Sequence, residues 1–186
     1  MVMIMNIPNK LTILRVILIP VFMFLFFMNH PYHIWFALGV FVLASFTDNL
    51  DGYLARRNNQ ITTFGKLMDP LADKLLTMAA MICFLRADVR YINEWVVMII
   101  LARELIVTGI RLVAVGENKV IAASHWGKAK TVVQFLTIIT IMVDMIIPLS
   151  YNVVDVTFWL VVLTVLLTVY SGFDYVRKNW SLLTFK

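Results

Sequence analysis

Four aspartates in the first half of the chain have the residue type and the spacing for metal-assisted chemistry. Asp48 and Asp51 are three residues apart, and Asp69 and Asp73 are four apart. Either spacing returns two side chains to one face of a helix. The surroundings are apolar, and a charge in a membrane-spanning helix costs about 2.5–3.5 kcal/mol on insertion scales. Four anions cannot share such a place without cations. Carboxylate oxygens are hard ligands, so the ion expected is Mg²⁺ or Mn²⁺. Four carboxylates suit two ions that keep positions open for phosphate oxygens. The single cysteine, Cys83, stands at the far end of its segment and offers no competing soft ligand.

The neighbours of these aspartates point the same way. Gly52 and Ala55 are small residues at i and i+3, leaving room for a bulky ligand or a close helix. Arg56 offers a planar fork for phosphate or a base edge. Thr62 or Thr63 is placed to cap the next helix, with Pro70 expected in or near its first turn, where a missing amide donor costs little. The positive end of that helix would then favour anions beside Asp69. The chemistry implied is that of a phosphate-rich ligand held by metal.

The elements that position these residues follow from composition. Of 186 residues, 61% are hydrophobic and 15% charged, with a mean hydropathy of +0.87. A soluble domain carries about 25% charged residues, so this chain has too little polar surface to cover itself in water. The same figures exclude a disordered chain, and one cysteine excludes a disulfide scaffold. The net charge of +5 comes without a basic stripe interleaved with aromatics, so nucleic acid is not an expected partner. The run Met1–Met5 is apolar rather than basic, so no cleaved leader is expected and the first span is retained.

Six segments approach the ~20 residues needed to span a bilayer. They are Leu11–Met28, Ile34–Leu54, Leu67–Leu85, Trp95–Val115, Thr131–Leu149 and Val154–Val176. The fold class expected is an all-α integral membrane protein with six transmembrane helices in a single domain over residues 1–186 and a polar cavity open to the cytoplasmic side. The connections after spans 1, 3 and 5 hold only Arg86 and Arg90 of the 16 basic residues. The opposite side, with both termini, is therefore expected to be cytoplasmic. Counting from Ile61 in the turn between spans 2 and 3, Asp48 lies 13 positions before and Asp73 lies 12 after. The two carboxylate pairs are expected at matching depths, roughly a dozen ångströms below the cytoplasmic surface at ~1.5 Å per residue.

The spacing D-x2-D-G-x2-A-R-x8-G-x3-D-x3-D is filled by Asp48, Asp51, Gly52, Ala55, Arg56, Gly65, Asp69 and Asp73. It resembles the signature of the CDP-alcohol phosphatidyltransferases at all eight positions, over 26 residues. The resemblance implies that the six-span fold extends over the whole chain. It also implies transfer of a phosphatidyl group from a CDP-linked lipid to an alcohol, with release of CMP. Asp48, Asp51 and Asp69 would be metal ligands, and Asp73 both a ligand and the general base on the acceptor hydroxyl. Gly52, Ala55, Arg56 and Gly65 would surround the cytidine diphosphate. A homodimer in the plasma membrane is implied as well.

The acceptor is read from the remaining polar residues. Arg103, Glu104 and Arg111 lie in span 4, and Lys128 and Lys130 lie in a segment just before span 5. Together they suit an acceptor that itself carries phosphate. The stretches Asn6–Arg15 and Gly127–Thr131 resemble the branch of the family that makes phosphatidylglycerophosphate, which implies CDP-diacylglycerol as donor and glycerol 3-phosphate as acceptor. Inositol phosphate or serine would be the alternative acceptors within the family. For Arg103, pairing with Glu104 and binding of substrate both remain open. Lys10, Arg15, Lys119, Arg177 and Lys178 read as orientation charges at span ends, and Asp144, Asp155 and Asp174 as helix contacts or solvent-facing acids. A divalent-cation transporter would need a polar path to both faces. The stretches Ala37–Ala44 and Met78–Phe84 are too apolar for one. A silent scaffold would have no use for paired carboxylates.

Overall fold

The computed structural model describes residues 7–57, 63–116, 121, 124–147 and 151–180, with side chains at 13–46, 74–114, 116, 121, 124–147 and 156–180. Its helices run in the order α1 (Ile7–Phe26), α2 (His33–Arg57), α3 (Thr63–Arg86), α4 (Glu94–Gly116), α5 (His125–Ile146) and α6 (Tyr151–Lys178). The described residues contain no strand. Two helices, α5 and the stretch Val156–Lys178 of α6, are long and apolar enough to cross a bilayer, and Ile13–Phe26 and His33–Phe46 are shorter apolar helices.

The chain forms two compact units, Met1–Cys83 and Phe84–Lys186. In the first, α1 packs on α2. The α2 stripe Ile34, Ala37, Phe41 and Ala44 is buried at steps of three and four, the period of one helical face. Phe22 of α1 meets Phe41 at a centroid distance of 5.9 Å and Phe26 at 6.0 Å, so three rings form the centre of this pair. The last turn of α1 is satisfied by His33, whose Nδ1 donates to the Phe26 carbonyl at 2.7 Å. Arg15 lies on this buried side at 1% exposure. It is therefore an interior residue of the unit, in place of the orientation charge expected at a span end.

In the second unit α6 packs against both α4 and α5. Its buried face is Thr157, Val161, Thr164, Thr168, Ser171 and Tyr175, alternating steps of four and three as in a helix seam. Trp126 of α5 stacks edge-on against Tyr170, and Thr137 meets Thr164, so α5 runs antiparallel to α6. Arg103 bonds to Ser171 and Arg111 to Tyr175, so α4 runs parallel to α6.

Beside its apolar core this unit buries several polar side chains and exposes large apolar ones. Glu104, Lys130, Gln134, Thr137, Thr164, Thr168 and Ser171 are buried, while Trp95, Leu105, Trp159, Leu166 and Phe173 are exposed. Small polar side chains at helix contacts with large apolar ones outside are what a lipid surround selects, because tails repel neither Leu nor Phe while buried hydroxyls find partners across helices.

The connection from α3 to α4 contains no glycine. Asp88 and Tyr91 take positive φ angles of 51° and 70°. Aspartate tolerates this region, and the Tyr91 ring is braced edge-on by Phe158 at 5.2 Å and by the Arg90 guanidinium at 5.1 Å.

Two expectations change at helix starts. The span predicted from Thr131 begins at His125, because the Ser124 side chain accepts from the Gly127 amide at 3.0 Å and caps the helix. Lys128 and Lys130 are thus helical residues, not part of a preceding connection. Likewise α3 begins at Thr63, seven residues before Pro70. Pro70 is thus a helix-interior proline without an amide to donate to the carbonyl of Lys66, and Asp69 lies beyond the turn where the helix dipole acts.

Candidate active site

The eight motif positions fall on two helices. Asp48, Asp51, Gly52, Ala55 and Arg56 lie in the last part of α2, and Gly65, Asp69 and Asp73 in the first part of α3. Both segments are helical through the motif, so the spacings of three and four place each carboxylate pair on one helix face. Asp48 stands nine residues before the end of α2 (57 − 48) and Asp73 ten after the start of α3 (73 − 63). At ~1.5 Å per residue these are similar axial distances, about 14 and 15 Å, from the ends joined by residues 58–62. The eight side chains lie outside the described ones. Among the described residues no three His, Cys, Asp or Glu side chains gather to hold a metal.

The candidate acceptor residues belong to the second unit, which brings two of the four together. Arg103 Nη1 donates to Glu104 Oε1 at 3.0 Å, and the same oxygen accepts from Lys130 Nζ. Lys130 is 1% exposed and Glu104 3%. Arg103 Nη2 reaches across to Ser171 Oγ at 3.1 Å. Arg111, two turns further along α4, is separate: its Nε donates to the Tyr175 hydroxyl at 3.3 Å and its guanidinium lies 5.6 Å from that ring's centre. Lys128 is exposed on the first turn of α5. Asp174, read as a contact or solvent-facing acid, accepts from Lys178 at 2.9 Å. The pairing of Arg103 with Glu104, one of the two roles open to Arg103 in the sequence, is formed; Ser171 stands outside the predicted site residues.

Residues 5–170 match the profile of the CDP-alcohol phosphatidyltransferases. The chain belongs to the CDP-alcohol phosphatidyltransferase family. Among curated relatives, CDP-diacylglycerol–glycerol-3-phosphate 3-phosphatidyltransferase of Bacillus subtilis (strain 168) is 39% identical, over 96% of this chain and 97% of the relative. Proteins of the same name from Pseudomonas fluorescens and Rickettsia felis are 34% and 36% identical, over 95% and 93% of this chain and 91% and 96% of theirs.

Proposed function

We propose that this chain transfers the phosphatidyl group of CDP-diacylglycerol to the free primary hydroxyl of glycerol 3-phosphate, giving phosphatidylglycerophosphate and CMP. The observation that carries the reading is the complete eight-residue motif laid on two helices with each aspartate pair on one face. The name and end-to-end similarity of the relatives support the acceptor. The oxygen of the acceptor hydroxyl attacks the phosphorus of the phosphatidyl group, the bond from that phosphorus to the CMP oxygen breaks, and the hydroxyl proton passes to Asp73. Asp48, Asp51, Asp69 and Asp73 would hold Mg²⁺ or Mn²⁺, two ions by the donor count, and such ions would offset negative charge on the leaving CMP oxygen. Gly52, Ala55, Arg56 and Gly65 enclose the cytidine diphosphate, and Arg103, Arg111, Lys128 and Lys130 supply the positive charge for the acceptor's phosphate.

In the same reading the six helices span the plasma membrane with both termini and the site on the cytoplasmic side, as a homodimer. Lipid exposure on the flanks of the helices lets the acyl chains stay in the bilayer while the diphosphate enters the cavity. The gathering of Arg177 and Lys178 at the end of α6 nearest Arg103 and Arg111 supports that orientation. The test is CMP release by the purified protein with Mg²⁺, CDP-diacylglycerol and a panel of glycerol 3-phosphate, inositol phosphate, serine and choline. Release with glycerol 3-phosphate is expected. Release with inositol phosphate alone would retain the family and reject the acceptor, and silence with all four would reject the activity.

A further inference from the structure

The Arg103–Glu104–Lys130 group is built with more care than an interior ion pair requires. One carboxylate oxygen accepts from cations on two helices, and Ser171 of a third helix fixes the outer nitrogen of Arg103 at 3.1 Å. Two glycines make the space. A Cβ on Gly172 would stand 3.0 Å from Arg103 Cγ, and one on Gly127 would stand 3.4 Å from Arg103 Nη2. Arg103 Nε is a buried donor without a hydrogen-bond partner, as is Gln134 Nε2 one turn beyond Lys130 on α5. Buried donors are nearly always satisfied, and an open guanidinium nitrogen on this cationic group suits an anionic ligand.

We infer that Glu104 is a positioning residue: it holds the Lys130 ammonium and the Arg103 guanidinium as a preset pair for the phosphate of the acceptor. The inference rests on the reading of glycerol 3-phosphate as acceptor given above. The physical cause is repulsion. Two cations side by side at low dielectric repel each other and move apart unless a carboxylate stands between them. With Glu104 present both are held in place before the ligand arrives, so binding does not have to order them. Ser171, Gly127 and Gly172 then serve the same end by fixing the one orientation of Arg103 that reaches Glu104.

The test uses the full-length protein in detergent micelles with Mg²⁺ and compares Glu104→Gln and Glu104→Asp with the parent. CMP release is measured against each substrate, and glycerol 3-phosphate alone is titrated by calorimetry. For Glu104→Gln the KM for glycerol 3-phosphate is expected to rise about tenfold, the equivalent of one charge-assisted hydrogen bond. The KM for CDP-diacylglycerol should stay within about twofold, the calorimetric affinity should fall in parallel, and Glu104→Asp should recover most of the loss. If Glu104→Gln does not fold, Glu104→Asp decides, with an expected rise of about threefold. Equal changes in both KM values, a lower KM for glycerol 3-phosphate, or a lowered melting temperature with both KM values unmoved would overturn the inference. A parent protein that binds glycerol 3-phosphate in a Glu104-dependent way without releasing CMP would sink the proposed reaction and leave the inference standing. A parent that neither binds nor turns it over would overturn both.

Discussion

The hydroxyls of Thr137 and Thr164 lie 2.8 Å apart between α5 and α6, both shut away from solvent. Thr137 Oγ1 also bonds within its own helix to the Val133 carbonyl at 2.8 Å, so the pair has a local alternative as well as a cross-helix partner. Such bonds between membrane helices are worth about 0.6 kcal/mol and at most about 1.7. Thr164→Val and Thr137→Val are each expected to lower stability by about 0.5–1.5 kcal/mol, and the double variant by less than their sum. Unfolding of the four proteins in mixed micelles measures the cycle. Strict additivity would show that the two hydroxyls do not sense each other.

Gly172→Ala should act on Arg103 without touching any charge. The added methyl carbon would stand 3.0 Å from Arg103 Cγ, a contact that forces the stem of the side chain aside. The Ser171 bond at 3.1 Å is then lost or stretched. The expected result is a rise of about three- to tenfold in the KM for glycerol 3-phosphate with a modest fall in melting temperature, since core crowding costs about 1–3 kcal/mol. Gly109→Ala, where a Cβ meets nothing within 4 Å, is the matched control and should be silent.

Legibility in the sequence divides along this line between local and cross-helix features. The motif was readable because all eight residues and both carboxylate pairs depend on spacing within single helices, and α2 and α3 are indeed helical through it. The start of α5 was hidden because Gly127 and two lysines resemble a connection, whereas the Ser124 cap that decides the matter is one hydroxyl. Pro70 was placed too near a helix start for the same reason: a proline suggests a first turn, and here the helix runs through it. The meeting of Glu104 with Lys130 spans 26 residues and two helices, and no periodicity announces it. One signal was available. Thr157, Thr164, Thr168 and Ser171 recur at seven, four and three in an otherwise apolar run, the mark of a polar helix seam.

Lys128 and Lys130, two residues apart on α5, should separate cleanly on substitution. Lys130 is buried against Glu104, and breaking a buried pair by removing one partner costs about 3–5 kcal/mol. Lys130→Met is therefore expected to lose both stability and turnover. Lys128 is exposed, so Lys128→Met should leave the melting temperature within about a degree. If Lys128 contributes to steering an anionic acceptor, its removal raises the KM for glycerol 3-phosphate most at low ionic strength, where screening is weakest. Melting curves and a salt series of KM values measure the two effects independently. Equal melting temperatures for the two variants would contradict the burial of Lys130.

The four aspartates admit a test that separates metal ligands from structural ion pairs. Chelation by EDTA should abolish CMP release, and Mg²⁺ or Mn²⁺ should restore it, but a salt-bridge network stabilised indirectly by cations would pass that test too. Replacing a hard oxygen by sulfur is more selective, because a thiolate prefers softer ions. Asp48→Cys is expected to be inactive with Mg²⁺ and to regain part of its activity with Cd²⁺, while Asp48→Ala regains none with either. Asp73 differs from the others if it also takes the acceptor's proton. Asp73→Asn should then lower turnover by about 100- to 10,000-fold, the usual worth of a positioned base, while CDP-diacylglycerol still binds with measurable affinity. Loss of donor binding in step with turnover would make Asp73 a ligand alone. Parent-like rates in Asp73→Asn would remove it from the chemistry, and failure of every thiolate variant to respond to a softer ion would leave the aspartates as ion-pair partners rather than a metal centre.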